Sequence, residues 1–145
     1  MTTTAVAATN PLSLQALCIP GAITAAWIAS VIKPGERYAG IALAEDGSLS
    51  HHLFLLPGEA DGVSWDAAVA WAAEVGGDLP TRREQSLLFA NLKDQFKPRW
   101  YWSGEQYAPD PSYAWGLDFD NGVQFNGYDT SYAGRARAVR RLKIQ

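Results

Sequence analysis

From residue 33 onward, apolar positions recur in short runs separated by turn residues. Arg37 to Leu43 and Leu49 to Leu56 read as two strands, joined by the hairpin-turn composition Glu45-Asp46-Gly47-Ser48. Pro57-Gly58 ends the second strand. The period then changes from two to about 3.6: Ala68, Trp71, Ala72 and Val75 lie at helical spacing behind Ser64, a side chain suited to cap a helix start. Gly76-Gly77 stops that helix, because glycine takes the left-handed C-terminal position at little cost. A second helix starts at Thr81. Thr81 and Glu84 have capping-box spacing, Leu88, Leu92 and Phe96 give its buried stripe, and Pro98 marks its end. Alternation returns at Trp115, Leu117 and Phe119, which predicts a strand with one strongly apolar face. Asp120-Asn121-Gly122 turns it, Val123 and Phe125 continue on a return strand, residues 127 to 134 read as a loop, and Arg135 to Leu142 as a closing strand.

The first 32 residues behave differently, since they carry no charged side chain. The stretch from Leu17 to Ile32 is nearly long enough to cross a bilayer. Pro20-Gly21 interrupts it, and Ala, Ser and Thr dilute it, so docking against protein is the expectation. The chain therefore divides into an uncharged N-terminal arm, 1–32, and a domain, 33–145. The arm's large apolar residues, Leu17, Ile19, Ile23, Trp27, Ile28 and Ile32, are the candidate partner contacts, and an oligomer or larger assembly is the expected consequence. The lead lacks the positive n-region of a secretory signal, so no such signal is expected.

Charge narrows the function classes. Fifteen acidic against 12 basic residues leave a net charge of -3, which disfavours general nucleic-acid binding. Arg135, Arg137, Arg140, Arg141 and Lys143 cluster near the C-terminus and read as strand-borne cations paired with carboxylates. The single cysteine, Cys18, permits neither an internal disulfide nor a multi-cysteine zinc site. His51 and His52 are adjacent in a strand, so they point to opposite faces and cannot act together on one substrate; solvated strand histidines are expected. Asp118, Asp120, Asn121, Asn126 and Asp129 offer hard oxygen ligands of the kind calcium takes, yet the same residues serve turns. No metal or cofactor is expected, and no catalytic set.

Several short motifs share an order with a known family. Gly76 through Glu84 (with Leu79-Pro80-Thr81), then Tyr101-Trp102-Ser103-Gly104, Ala114-Trp115, Asn121-Gly122 and Arg137-Ala138-Val139-Arg140 follow one another over about residues 36 to 142. This succession resembles the Lcl C-terminal-type domain family, modules with a C-type-lectin-like fold. Two positions depart from the family pattern: Gly77-Asp78 stand where Trp-Arg is usual, and Gly104 replaces the second Ser. The resemblance implies an α+β, C-type-lectin-like fold with two helices packed on small antiparallel sheets, and makes Trp102 and Trp115 candidate core plugs. Formylglycine-generating enzymes share that broad fold but need a cysteine pair that this chain lacks.

Binding is the function class that remains. The segment from Arg99 to Tyr132 mixes tyrosines with Gly, Ser, Asn and Asp, a combination of rigid anchors and adaptable polar neighbours. Tyr107, Tyr113, Asn126, Tyr128, Asp129 and Tyr132 are the candidate ligand contacts. The expected function is a non-enzymatic recognition module of a phage or prophage particle. Its arm would be anchored to a tail fibre or similar assembly, and its Tyr-rich loop face would meet a host surface protein or glycan. It would be made in the host cytoplasm and end in the virion. The alternative is an intracellular phage protein that binds and inhibits or regulates a host protein.

Overall fold

Hydroxyl caps start each helix of the computed structural model, which describes residues 24–144. Helix α1 (Ala25–Val31) begins where Thr24 Oγ1 accepts the Trp27 amide at 3.1 Å. Two strands follow, β1 (Arg37–Leu43) and β2 (Leu49–Leu55), then β3 (Ala60–Val63). Ser64 caps α2 (Trp65–Glu74), and the chain leaves that helix through Gly76 at φ +89°. Helix α3 (Arg82–Leu92) carries the full capping box: Thr81 Oγ1 accepts the Glu84 amide, and Glu84 Oε1 accepts the Thr81 amide at 2.8 Å. The rest is strands: β4 (Trp100–Gln106), β5 (Tyr113–Asp118), β6 (Gln124–Asp129), β7 (Gly134–Ala136) and β8 (Val139–Lys143).

The architecture is α+β with two sheets. One is antiparallel, in the order β1-β2-β8; the other runs β3-β7-β4-β5-β6 and contains one parallel pair, β4 with β7. The two faces of the larger sheet bury different clusters. Alternation along β4 sends Trp102 to one side, with Ala68 and Ala72 of α2, and Tyr101 to the other, with Leu88 of α3 and Leu53, Leu55 and Val139 of the smaller sheet. Phe96 stacks on Phe119 at 3.9 Å and meets Tyr101 edge-on, closing the second cluster at the foot of α3. Tyr101 Oη donates to Glu59 Oε1 at 2.6 Å; burial first, then that carboxylate, push its pKa up to about 12.

Several sequence expectations need correction. The expected closing strand, Arg135 to Leu142, is two strands in different sheets. Between them the Arg137 guanidinium turns to the carbonyls of Gln95 and Leu56, and the chain crosses from one sheet to the other. The expected loop at 127–134 is partly β6, whose pairing with β5 slips by one residue between Ala114 and Gly116. Sequence reading left β3 unassigned, since four residues are too few to show a period. Helix α3 ends at Leu92 and passes into a 3-10 turn, so Phe96 packs from beyond the helix.

The histidines also differ from expectation. His52 is only 5% exposed: its Nδ1 lies 3.0 Å from Tyr38 Oη, and the Trp27 ring sits 4.5 Å away. Residues 24–32 of the arm are thus not detached from the domain. Trp27 packs on β2, and Val31 O accepts from Arg140 Nη2. Trp27, Ile28 and Ile32 are each partly covered; Leu17, Ile19 and Ile23 lie outside the described residues. No helix among the described residues is long and apolar enough to cross a membrane.

The Gly77-Asp78 departure has a structural reason. A Cβ on Gly77 would collide with the Val139 carbonyl and with Leu56 Cδ1, because Asp78 and Val139 exchange backbone hydrogen bonds of 3.0 and 2.8 Å. Glycine is required there by close approach of β8.

Candidate functional site

Strands β5 and β6 carry four of the six candidate ligand residues, Tyr107 and Tyr132 lie in the connections beside them, and the six are divided between two faces and a turn. On the α3 side, Tyr107, Tyr113 and Asn126 line a shallow groove of about 310 Å³. On the α2 side, Tyr128 packs at a tilt against Trp100 and against Tyr132, each at 4.4 Å, and Tyr132 meets Trp100 edge-on at 6.3 Å. These rings wall a second cleft of about 310 Å³ that also presents Asp118, Asp120 and Arg135. The Trp100 Nε1–H is buried with no hydrogen-bond partner among the described residues. Asp129 joins neither cleft: its Oδ1 accepts the Ser131 amide and hydroxyl, which hold its carboxyl below the usual range. Two surfaces therefore stand where one face was expected, and both are largely strand-borne.

A wider concavity, a groove of about 900 Å³, lies between the β1–β2 hairpin, the start of α3, and β4, β6 and β8. Its floor is a charge cluster that ties three elements together. Glu84 of α3 is 1% exposed; its Oε2 lies 2.6 Å from His51 Nε2 of β2 and 2.6 Å from Arg141 Nε of β8, and its Oε1 accepts Arg141 Nη2 at 2.8 Å. Burial pushes the Glu84 pKa up, but Arg141, the Thr81 amide and His51 together hold it below the ordinary carboxylate value. Ser50 Oγ sits 2.9 Å from His51 Nδ1, so Ser50, His51 and Glu84 run in the order of a hydrolytic relay. The Glu84 oxygens are also filled by Arg141 and the Thr81 amide, which clamps α3 to β8, and Ser50 is not among the residues that line the groove.

One groove wall is a stacked cation. The Arg82 guanidinium lies 3.5 Å above the Trp115 ring, and its Nε and Nη2 donate to Gln124 Oε1 at 3.1 and 2.9 Å. The Gln124 amide donates in turn to Arg82 O and Ser86 Oγ. This explains why Trp115 is not a core plug as Trp102 is. Trp115 shares a face with Leu117 and Phe119, but α3 begins at Arg82, so at that point the sheet is covered by one side chain rather than by a helix. Tyr107 meets Trp115 edge-on at 5.8 Å and links this wall to the Tyr107–Tyr113 groove.

Three of the five C-terminal cations are paired with carboxylates; Arg137, between β7 and β8, donates to carbonyls instead, and Lys143 forms no ion pair among the described residues. Arg135 meets Glu59, Arg140 makes a two-pronged contact with Glu36, and Arg141 joins Glu84 and Asp78. The oxygen-bearing turn residues serve their own turns: Asp118 Oδ1 accepts the Asp120 amide and Asn121 Oδ1 the Val123 amide. Among the described residues no group of three or more His, Cys, Asp or Glu is placed to hold a metal ion. Sequence reasoning missed Arg82, Gln124 and Trp100. The capping box located the start of α3, but nothing local showed that Gln124, 42 residues on, would meet it. No family model and no curated protein matches the chain.

Proposed function

We propose that this chain is a non-enzymatic recognition module of a phage or prophage particle that binds a host surface glycan or protein through the clefts of β4–β6. The observation that carries the reading is the placement of aromatic and polar side chains on cleft walls: Tyr107, Tyr113 and Asn126 at one, Trp100, Tyr128 and Tyr132 at the other, where Trp100 and Tyr128 also pack on the core beneath. Rings give contact area at low entropic cost, and the carboxylates and amides beside them accept or donate hydrogen bonds. The α+β layout, with capped helices packed on small sheets, is compatible with the lectin-like fold that the resemblance implies, and that resemblance makes the phage particle the setting.

The test is binding of the labelled intact chain to whole bacterial cells and, separately, to their cytosolic proteins. Surface binding that drops at least about tenfold in Tyr113→Ala or Tyr132→Ala, with folding midpoints close to wild type, is the expected result. Binding confined to a cytosolic protein would replace this reading with intracellular inhibition. Because α1 packs on the domain, the cut that tests anchoring by the arm lies before Thr24. Light scattering should show an assembly for the intact chain and a monomer for the shortened one; two monomers would remove the anchoring role.

A further inference from the structure

Arg82 differs from the arginines that close the fold. Arg135, Arg140 and Arg141 each face a carboxylate, whereas among the described residues Arg82 forms no ion pair. It is nonetheless held in place. Stacking on Trp115 fixes the plane of the guanidinium, and Gln124 Oε1 takes two of its five N–H donors, leaving three. These sit on the wall of the 900 Å³ groove. Of the nearby acids, Glu84 is held by Arg141 and His51, while Glu105, also in the groove lining, turns its Oε2 to the Arg82 backbone amide at 2.7 Å and forms no ion pair with the guanidinium. Glu45 stands on the hairpin rim and is exposed, as is Arg83 beside Arg82.

We propose that Arg82 seats an oxyanion, a carboxylate or phosphate, carried by the glycan that this module recognises; the glycan part rests on the reading above, the charge on the geometry of Arg82. A planar guanidinium already ordered by stacking and by a neutral amide loses little freedom when it engages a planar or tetrahedral oxyanion with two parallel N–H donors. Gln124 is a positioning residue here, since it orients the fork without occupying all of it. Tyr107, edge-on to Trp115, places the neighbouring aromatic groove where the rest of the sugar would lie.

The experiment is calorimetric titration of the intact chain with three probes: trigalacturonate, an oligosaccharide ending in mannose 6-phosphate, and neutral maltotriose. At least one charged probe should bind about tenfold or more tightly than maltotriose, and raising the salt should weaken it selectively. Which charged probe binds names the source of the oxyanion. Arg82→Ala should abolish that preference. Arg82→Lys, which keeps the charge but not the fork, should weaken it about fivefold or more, and Gln124→Ala should weaken it with the salt dependence retained. Circular dichroism checks that each variant is folded, and Arg82→Lys carries the test should Arg82→Ala not fold. Equal affinity for all three probes, or a charged-probe affinity unchanged in Arg82→Lys and Arg82→Ala, overturns the Arg82 assignment and leaves recognition standing. Binding of none of the three overturns the glycan proposal. Arg82-dependent binding of a polyglutamate peptide in their place would make the ligand an acidic protein.

Discussion

Replacing Glu84 with Gln isolates the one buried carboxylate that joins α3, β2 and β8. Gln keeps the shape and one acceptor oxygen, so the Thr81 amide and one Arg141 prong retain a partner. It presents an amide where Arg141 Nε and His51 Nε2 now meet an anion at 2.6 Å each. Removing one partner of a buried pair costs about 3–5 kcal/mol. Arg141 is partly solvated and keeps Asp78 at 3.0 Å, which reduces the cost, so about 2–3 kcal/mol is expected at pH 7. The sign with pH follows from the lowered folded-state pKa. The stabilisation is complete above the unfolded value of 4.5 and is lost as pH falls through the lower folded value, because protonated Glu84 then resembles Gln. Urea unfolding of both proteins from pH 7 to pH 3 measures the difference directly, and titrating groups outside the Glu84–His51–Arg141 cluster cancel between them. A difference below about 1 kcal/mol at pH 7, or one that does not shrink in acid, would refute the clamp.

Three further outcomes are expected. Trp102→Ala should cost about 3–5 kcal/mol in chemical denaturation, since the ring is 0% exposed and its Nε1 donates to Val63 O at 3.0 Å; a loss below about 1 kcal/mol would place it at the surface. Gly116→Ala should cost about 1–3 kcal/mol by the same measurement, because the added Cβ would collide with the Trp100 ring; an unchanged midpoint would show that the aromatic cleft can shift freely. His52 should titrate below 6.5 by NMR, because burial, and then the charge of His51, disfavour its protonated form. The stability associated with keeping it neutral is intact above pH 6.5 and declines as pH falls below that value. Trp27→Ala, which uncovers the ring, should bring the titration back toward 6.5; an unmoved pKa would mean α1 does not shield it.

Sequence pattern located what is local and lost what is folded together. β1, both capped helices and the glycine stop came from short-range chemistry, each visible within a few residues. The split of the closing strand was not visible. Arg135 to Leu142 alternates well enough for one strand, and only the carbonyls of Gln95 and Leu56, brought from elsewhere, explain why Arg137 leaves the ladder. Val123 and Phe125 misled in the opposite way. They are 54% and 47% exposed because β6 is an edge strand and its register slips beside them, so apolar character did not translate into burial. The tyrosines stand out as a group in the sequence, but their division between two faces depends on that same slip.

The capping box shows why fold and site are hard to separate in this chain. Thr81 and Glu84 start α3, and Glu84, by facing inward, gathers Arg141 and His51 and so fixes the smaller sheet against the helix. Arg82, the first residue of that helix, then points outward over Trp115, which no helix covers. A guanidinium stacked on an indole is thus a consequence of where the helix begins. Shifting the helix start by one residue would turn this position by about 100° and move the cation off the ring. The stability of the clamp and the preorganisation of the groove wall depend on the same few residues. Leu43 and Glu45 on the β1–β2 rim are exposed and take no part in the clamp, so substitution there would reshape the groove without loosening the structure beneath it.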